Sequence, residues 1–314
     1  MTPSGRATPS GRVRLPIVIL GSTASGKSDA AMAWAGLDPV REILAVDAMQ
    51  VYRRLDIGTA KPSLDDQQRV RHHGIDLVEP SQDFAVTDFV EAATAAMTDI
   101  AARGGEAVLV AGTGLYLRAI TDPMEIPGRW PEVRTTLDQR AVAEGVQTLH
   151  AQLALLDPLA ASRMEPSNLR RVVRALEVTI GSGRPFSSFG DGVATYPPIS
   201  LNMFGLQWDR PQLATRIEQR VLRMMSAGLL TEVTALAGEP GGLSRTARQA
   251  LGYKELLDHL DGFVSLDEAV ATIVVRTRQF AVRQQRWFRR DPRIRWVTVH
   301  DDPVGELLSH LAAE

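Results

Sequence analysis

Runs of apolar residues with the length of strands recur along the chain, and segments of helical periodicity separate them. Six runs are predicted to be strands: residues 15–20, 42–46, 74–78, 106–111, 201–207 and 294–299. Continuous apolar runs of this length are typical of strands that are buried on both faces of a sheet. Because strands that alternate with helices form parallel, doubly wound sheets, we expect an α/β core.

The alternation of strands and helices stops in the middle of the chain. Residues 121–179 show helical periodicity without a convincing strand, and segments rich in proline or glycine lie on both sides. We therefore predict an inserted all-helical domain at 123–198, between a first part of the core at 15–122 and a second part at 199–314. Helices are predicted in the second part at 213–230 and 266–290.

Composition narrows the class of protein. The 314-residue chain contains no cysteine, which excludes disulfides, thiolate nucleophiles and cysteine-based zinc sites and fits a reducing compartment. Residues 1–14 are polar and contain three arginines, so we expect a disordered tail and not a signal peptide. No apolar stretch approaches the roughly 20 residues of a membrane helix. The expectation is a soluble, cytoplasmic protein without a membrane partner.

Arginine is concentrated towards the C-terminus, although the net charge of the whole chain is only −2. Residues 276–295 contain eight arginines and a single acidic residue, with aromatic residues interleaved. A smaller cluster comprises Arg163, Arg170, Arg171 and Arg174. Clustered arginines with aromatic neighbours favour a nucleic-acid partner, whereas a solvated helix face would have a similar composition.

A phosphate-binding motif follows the first predicted strand. It reads G-S-T-A-S-G-K-S and comprises Gly21, Ser22, Thr23, Ala24, Ser25, Gly26, Lys27 and Ser28. In such a P-loop the backbone amides surround an anion, the lysine adds a positive charge, and the last hydroxyl is offered to Mg²⁺. The motif therefore predicts a bound di- or triphosphate, with Ser28 as the metal ligand, but it does not identify the molecule.

Two polar residues follow other predicted strands. Asp47 ends the strand at 42–46, and Thr113 follows the strand at 106–111 within a glycine-rich loop. Ligands of open α/β sheets bind at the carboxyl ends of the strands, so both side chains are candidates for substrate contact. An aspartate at a strand end can also cap a turn or a helix, and that alternative stays open here.

Further motifs stand in a fixed order after the P-loop. They are D-A-M-Q-V-Y (47–52), D-I-G-T-A-K-P (56–62), A-G-T-G-L-Y (111–116), P-E-V-R (131–134), R-R-V-V-R-A-L-E-V (170–178), R-I-E-Q-R (216–220), G-Y-K-E (252–255) and R-Q-F-A-V-R-Q-Q-R-W-F-R (278–289). A P-loop alone is shared by many ATPases and kinases, whereas the whole set is specific. In this set the chain resembles bacterial tRNA dimethylallyltransferases.

The resemblance implies a P-loop kinase-like, doubly wound parallel sheet with an inserted helical domain. Dimethylallyl diphosphate occupies the place that ATP takes in kinases, and its dimethylallyl group passes to N6 of the adenosine next to the anticodon on the 3′ side, position 37 of tRNA. The implied cofactor is Mg²⁺, which binds the leaving diphosphate. The implied partner is the anticodon stem-loop of tRNA, and the enzyme is expected to act as a monomer.

Residue roles come from the same resemblance. Asp47 is the implied general base, Thr113 hydrogen-bonds the target adenine, and Lys27 and Arg220 stabilise the diphosphate. Contacts with tRNA are implied at Asp47, Ala48, Met49, Gln50, Thr113, Arg134, Arg170, Arg171, Val172, Val173, Arg174, Gln249, Tyr253 and Lys254.

The chain departs from the family pattern at a few positions. Ala48 replaces the usual serine, Val282 replaces a common lysine, and Ala111 replaces the first glycine of the usual G-G-T. Two other classes of protein are compatible with the P-loop alone: an ATP-dependent kinase of small molecules or nucleotides, and a regulatory or RNA-binding module without turnover. The second class would leave Asp47 and Thr113 without a role.

Overall fold

The structure is a computed structural model that describes residues 6–7, 13–14, 16–190, 193 and 195–312. Two compact units are present, one formed by Met1–Thr121 with Pro198–Glu314 and the other by Asp122–Pro197. Within the predicted N-terminal tail, Arg6–Ala7 pairs antiparallel with Val13–Arg14. The rest of that tail lies outside the described residues, so its disorder stays a prediction.

A six-stranded parallel sheet forms the centre of the first unit. Its strands are β1 (Ile17–Gly21), β2 (Arg41–Val46), β3 (His72–His73), β4 (Glu106–Ala111), β5 (Asn202–Trp208) and β6 (Ile294–Val299). Their order across the sheet is β3-β2-β4-β1-β5-β6, and every neighbouring pair is parallel. The predicted α/β class with a doubly wound parallel sheet is confirmed.

Helices surround this sheet and build the second unit. Those of the first unit are α1 (Lys27–Ala35), α2 (Leu64–Arg69), α3 (Val86–Ala102), α4 (Gly114–Thr121), α9 (Arg210–Ser226), α10 (Leu229–Ala237), α11 (Tyr253–Leu260), α12 (Leu266–Phe288) and α13 (Pro303–Ala312). Those of the second unit are α5 (Pro131–Glu144), α6 (Val146–Leu156), α7 (Pro158–Ser162) and α8 (Leu169–Ser182). In the described residues, none of these helices is long and apolar enough to cross a bilayer.

The central strands are apolar at successive positions because both faces of the sheet are covered. In β1, Val18 and Leu20 face a core that includes Phe89 of α3, whereas Ile19 faces a second core that includes Ala31 of α1. Successive strand residues point to opposite faces, so a strand with two covered faces needs apolar residues throughout. This arrangement explains the continuous hydrophobic runs in the sequence.

Two predicted elements differ in the structure. The strand expected at 74–78 is wrong, because the backbone pairs with β2 only at His72–His73. Gly74 and Asp76 have φ angles of 78° and 53°, which are turn conformations and not strand conformations. The helix expected at 213–230 is divided into α9 and α10 by Gly228, whose φ angle of 100° suits a residue without Cβ.

A partly buried carboxylate, that of Glu232, attaches the D-I-G-T-A-K-P loop to the rest of the first unit. Glu232 of α10 accepts hydrogen bonds from the backbone N–H groups of Asp56, Ile57 and Gly58, at 3.0, 2.8 and 3.3 Å. The hydroxyl of Tyr253 also donates to Glu232, at 2.5 Å. Burial and the neighbouring carboxylate raise the pKa of Tyr253, so the phenol remains a hydrogen-bond donor.

The ring of Tyr253 requires glycine at position 58. A Cβ atom added to Gly58 would overlap with the fully buried Tyr253 ring. We expect Gly58→Ala to lower the free energy of unfolding by about 1–3 kcal/mol, the usual cost of overpacking. Gly238→Ala is the matched control, because its Cβ would meet its nearest neighbour at an ordinary 3.5 Å. Urea denaturation of both variants measures the difference, and equal stabilities would contradict the prediction.

Candidate active site

The P-loop occupies the turn between β1 and α1, as its sequence predicts. The strand ends at Gly21 and the helix begins at Lys27. Ala24 and Gly26 adopt positive φ angles of 62° and 85°, which turn the backbone around the loop. A Cβ on Gly26 would lie 2.5 Å from Pro303, so only glycine fits there. The backbone geometry is therefore that of an anion-binding loop at a helix N-terminus.

Three side chains from distant parts of the chain hold this loop in place. Trp208 donates from Nε1 to the carbonyl oxygen of Ser25 at 2.9 Å. Arg216 donates from Nε to the carbonyl oxygen of Ala24 at 2.9 Å and stacks 4.2 Å from the centre of the Trp208 ring. Gln284 accepts from the N–H of Thr23 at 2.9 Å. Sequence reasoning assigned this supporting role to none of the three, although Arg216 and Gln284 lie in motifs that carry the family resemblance.

Two hydroxyls of the loop fit an anionic ligand. Ser22 and Ser25 are almost completely buried, and neither Oγ atom hydrogen-bonds to any described residue. A buried hydroxyl without a partner costs about 1–3 kcal/mol. Phosphate oxygens would supply the missing acceptors. Ser28, by contrast, is exposed at the start of α1, where its hydroxyl is open to a metal ion.

Two cations meet beside the loop without enough negative charge to neutralise them. Burial, and then repulsion from Arg220, lowers the pKa of Lys27 to about 8. Burial likewise lowers the pKa of Arg220, with partial compensation from Asp47 and Asp29. Among the described residues, Arg220 has no hydrogen-bond or ion-pair partner. A bound anion would stabilise both charges, which is the electrostatic signature of a phosphate site.

Asp47 lies at the carboxyl end of β2, and its two carboxylate oxygens have different surroundings. Oδ1 accepts hydrogen bonds from the N–H groups of Met49 and Gln50, at 2.8 and 3.3 Å, and so forms the turn that the alternative interpretation predicted. Oδ2 faces Gly112 instead. A Cβ built on Gly112 would lie 3.2 Å from Oδ2 and 3.4 Å from Cε of Lys27. The turn therefore leaves one oxygen available beside the P-loop lysine.

Thr113 lies next to Asp47 at the carboxyl end of the neighbouring strand, β4. Its Oγ1 accepts a hydrogen bond from the N–H of Ala48 at 3.2 Å. Its hydroxyl hydrogen is therefore free to be donated elsewhere. Sequence reasoning predicted that these two strand ends would face the same crevice, and the structure brings Lys27, Asp47 and Thr113 together there.

A groove of about 870 Å³ adjoins this crevice within the first unit. Its lining includes Arg220, Arg223 and Met224 of α9, and Ile57 and Ala60 of the D-I-G-T-A-K-P loop. Gln50 donates from Nε2 to the carbonyl oxygens of Thr59 and Ala60, both at 3.2 Å, and so holds the loop that forms this wall. The lining of the groove therefore combines charged and apolar side chains.

The remaining predicted RNA contacts in the first unit differ in accessibility. Gln249 is exposed, and Lys254 pairs with Asp258 at 2.7 Å on the surface. Tyr253 is completely buried, so its side chain cannot meet a nucleic acid in this conformation. Its role in the structure is the hydrogen bond to Glu232. Met49 and Ala48 are partly buried against the core of this unit.

The predicted RNA contacts in the helical unit also differ in accessibility. Arg170 and Arg171 are exposed at the start of α8 and make no side-chain hydrogen bond or ion pair with the described residues. Arg174 pairs with the buried Glu177 at 3.0 Å. Arg134 pairs with Asp138 at 2.9 Å.

Two further predicted contacts of this unit are core residues. Val172 and Val173 are completely buried, in the cluster that also contains Leu149 and Leu153. The exposed arginines just before them are therefore the accessible part of the R-R-V-V-R motif.

Comparison with known proteins finds relatives that match about nine-tenths of the chain. The family model described as IPP transferase matches residues 50–291. A tRNA dimethylallyltransferase from Geobacter metallireducens is 45% identical over 286 residues, which cover 90% of this chain and 91% of that protein. Another from Desulforudis audaxviator is 42% identical, with 92% of this chain and 94% of that protein covered.

Solved structures agree with the sequence relatives. The tRNA isopentenylpyrophosphate transferase of Bacillus halodurans matches with a TM-score of 0.66 and 36% identity, and 95% of each chain is covered. A eukaryotic dimethylallyltransferase acting on tRNA matches with a TM-score of 0.75 and 25% identity, over 91% of this chain and 74% of the other. The chain therefore belongs to the IPP transferase family, the family of the tRNA dimethylallyltransferases.

Proposed function

We propose that this protein transfers the dimethylallyl group of dimethylallyl diphosphate to N6 of the adenosine next to the anticodon on its 3′ side, position 37 of tRNA. The products are N6-isopentenyladenosine and diphosphate. Similarity to tRNA dimethylallyltransferases over nine-tenths of the chain carries the proposal. The convergence of Lys27, Asp47 and Thr113 at one crevice gives it a chemical basis.

The donor diphosphate is proposed to bind in the P-loop. Its oxygens would accept hydrogen bonds from the buried hydroxyls of Ser22 and Ser25 and neutralise Lys27 and Arg220. Negative charge grows on the diphosphate as the bond between its oxygen and the allylic carbon breaks. Cations and hydroxyls that are already in place for this charge lower the barrier without reorganising during the reaction.

The acceptor is proposed to approach from the side of Asp47. The adenine N6 attacks the allylic carbon, the carbon–oxygen bond to diphosphate breaks, and the N6 proton passes to Oδ2 of Asp47. Thr113 can donate its hydroxyl hydrogen to the base while its Oγ1 keeps the hydrogen bond from Ala48. An adenosine in a folded RNA reaches such a crevice only when it leaves its stack.

The residues of the loop fit Mg²⁺ that arrives with the diphosphate. Magnesium usually takes one or two protein ligands and completes its shell with water and phosphate oxygens. The exposed hydroxyl of Ser28 is the proposed protein ligand. Within the described residues no group of three acidic or histidine side chains could hold a metal ion unaided, which is consistent with this arrangement. When bound, the ion would supply further stabilisation of the leaving diphosphate.

Each unit offers its own cationic surface for the phosphates of the anticodon stem-loop. The surface of the helical unit consists of Arg170 and Arg171. The surface of the first unit is the exposed side of α12, which carries Arg283 and Arg286. Val282, where the family commonly has lysine, lies on the same side of α12. We propose that a monomer in the cytoplasm is the active form. The comparisons lend no support to the kinase that the P-loop alone would allow.

The first test identifies the donor and the acceptor. With Mg²⁺ and unmodified tRNA, labelled dimethylallyl diphosphate is expected to label the RNA, and digestion should release N6-isopentenyladenosine. A tRNA with guanosine in place of adenosine at position 37 is the matched control and should stay unlabelled. Transfer of the γ-phosphate of ATP to any acceptor, with no transfer from dimethylallyl diphosphate, would refute the proposed function.

The second test concerns Asp47. General-base catalysis typically contributes 10²–10⁴-fold, so we expect Asp47→Asn to lower kcat by about 100-fold or more, with tRNA affinity changed by less than about tenfold. The asparagine keeps an Oδ1 acceptor for the amides of Met49 and Gln50. Asp47→Ala is the comparison variant, because it loses the turn as well and should also be less stable.

Single-turnover rates and tRNA binding at low and high Mg²⁺ distinguish the possible roles of Asp47. A rate that excess Mg²⁺ restores would assign the carboxylate to metal positioning. Near-normal turnover of Asp47→Asn would end its assignment as the base.

The third test concerns the exposed arginines of α8. If Arg170 and Arg171 contact phosphates, neutralising both to glutamine should reduce the slope of log Kd for tRNA against log salt concentration by about one unit for each lost contact. Arg140→Gln is the control, because Arg140 lies in the same unit but is bonded to Glu144 at 2.8 Å. A slope that changes equally in both variants would mean that Arg170 and Arg171 are only a solvated surface.

A further inference from the structure

Gln284 of α12 joins two loops that are far apart in the sequence. Its side chain is 8% exposed. Oε1 accepts the hydrogen bond from the N–H of Thr23 in the P-loop at 2.9 Å, and Nε2 donates to the carbonyl oxygen of Gly112 after β4 at 2.7 Å. One buried amide thus connects the loop of the donor to the loop that carries Thr113.

The hydrogen bond to Thr23 fixes the shape of the P-loop. The N–H of Thr23 points to the protein and is therefore not among the amides offered to an anion. Trp208 and Arg216 bind carbonyl oxygens of the same loop, so Gln284 is the support on the amide side. Because hydrogen bonds hold both carbonyl groups and an N–H group of the loop, the loop keeps its geometry before a ligand binds.

The amide of Gln284 also lies next to the reacting groups. A Cβ built on Gly112 would be 3.2 Å from Oδ2 of Asp47, 3.4 Å from Cε of Lys27 and 3.6 Å from Nε2 of Gln284. Lys27 of the proposed diphosphate site and Asp47 of the proposed adenine site therefore meet around Gly112. Gln284 is hydrogen-bonded to the backbone of the P-loop and to that of Gly112.

We propose that Gln284 is a positioning residue that sets the distance between the donor diphosphate and the carboxylate of Asp47. This inference rests on the proposed prenyl transfer and adds a determinant of its rate. Reactions between two bound groups depend steeply on their separation, and a displacement of about 1 Å can cost about 100-fold in rate. Loss of the two hydrogen bonds frees the P-loop to shift relative to Asp47.

Gln284→Met tests this proposal, with Gln285→Met as the matched control. Methionine has nearly the same length but offers no hydrogen bonds of comparable strength. Gln285 is the next residue of α12 and is 7% exposed, but its side chain makes no hydrogen bond with the described residues. We expect the single-turnover rate of Gln284→Met to fall by about 10–100-fold, while tRNA affinity stays within about threefold. Gln285→Met should behave like the wild type.

Hydrogen exchange gives a second measurement that does not depend on turnover. In the free protein the amide of Thr23 should exchange slowly because it is bonded to a buried acceptor. Its exchange is expected to be about tenfold faster or more in Gln284→Met and unchanged in Gln285→Met. If Gln284→Met does not fold, Gln284→Asn replaces it, since this shorter amide can reach only one of its two partners.

A double-mutant cycle separates positioning from general support. If Gln284 acts through the distance to Asp47, its substitution should cost less in the Asp47→Asn background than in the wild type. Additive losses, or an unchanged rate or Thr23 exchange in Gln284→Met, would overturn the proposal. Failure of the proposed function is distinguishable, because the wild type itself would then transfer no dimethylallyl group.

Discussion

The site depends on two positive charges, Lys27 and Arg220, that are held close together and partly away from water. Like charges in such surroundings repel, and burial removes the hydration that would offset the repulsion. Asp47 compensates only in part. The free protein therefore keeps an electrostatic imbalance at the P-loop, which an anion with two or more charges would correct. In the proposed reaction, binding energy and transition-state stabilisation would come from the same groups.

Such a site needs a rigid frame, since mobile cations would move apart. The sheet supplies the first part of the frame, because the ends of β1, β2 and β4 lie side by side. Long-range hydrogen bonds supply the second part. Trp208 and Arg216 hold P-loop carbonyl groups from β5 and α9, and Gln284 holds an amide from α12. The loop is thus supported from three separate segments of the second half of the chain.

The sequence contained enough information to predict five of the six strands, because their two covered faces demand apolar residues throughout. It could not show β3, since His72 and His73 are polar and the strand is only two residues long; His73 also bonds through its side chain to Glu42 of β2. The strand-end positions of Asp47 and Thr113 were likewise predictable from the pattern. Their convergence with Lys27 follows from parallel strands.

The side-chain hydrogen bonds that support the P-loop could not be predicted from the sequence. Arg216 and Arg220 are one helical turn apart, a spacing at which two like charges repel each other. In the structure Arg216 turns to the carbonyl of Ala24, a contact that depends on tertiary packing. Gln284 lies in the motif at 278–289, but the sequence does not indicate which backbone groups its amide binds. Tyr253 was expected at the RNA surface, but the phenol is buried against Glu232.

The carboxylate of Glu232 has a further consequence. Three successive amides converging on one point are an anion-binding nest, the same kind of cradle that a P-loop presents. The protein fills this second cradle with its own side chain and leaves the first for a ligand. Removing Glu232 would therefore do more than free the loop at 56–58. It would leave three backbone N–H groups and the hydroxyl of the buried Tyr253 without their acceptor.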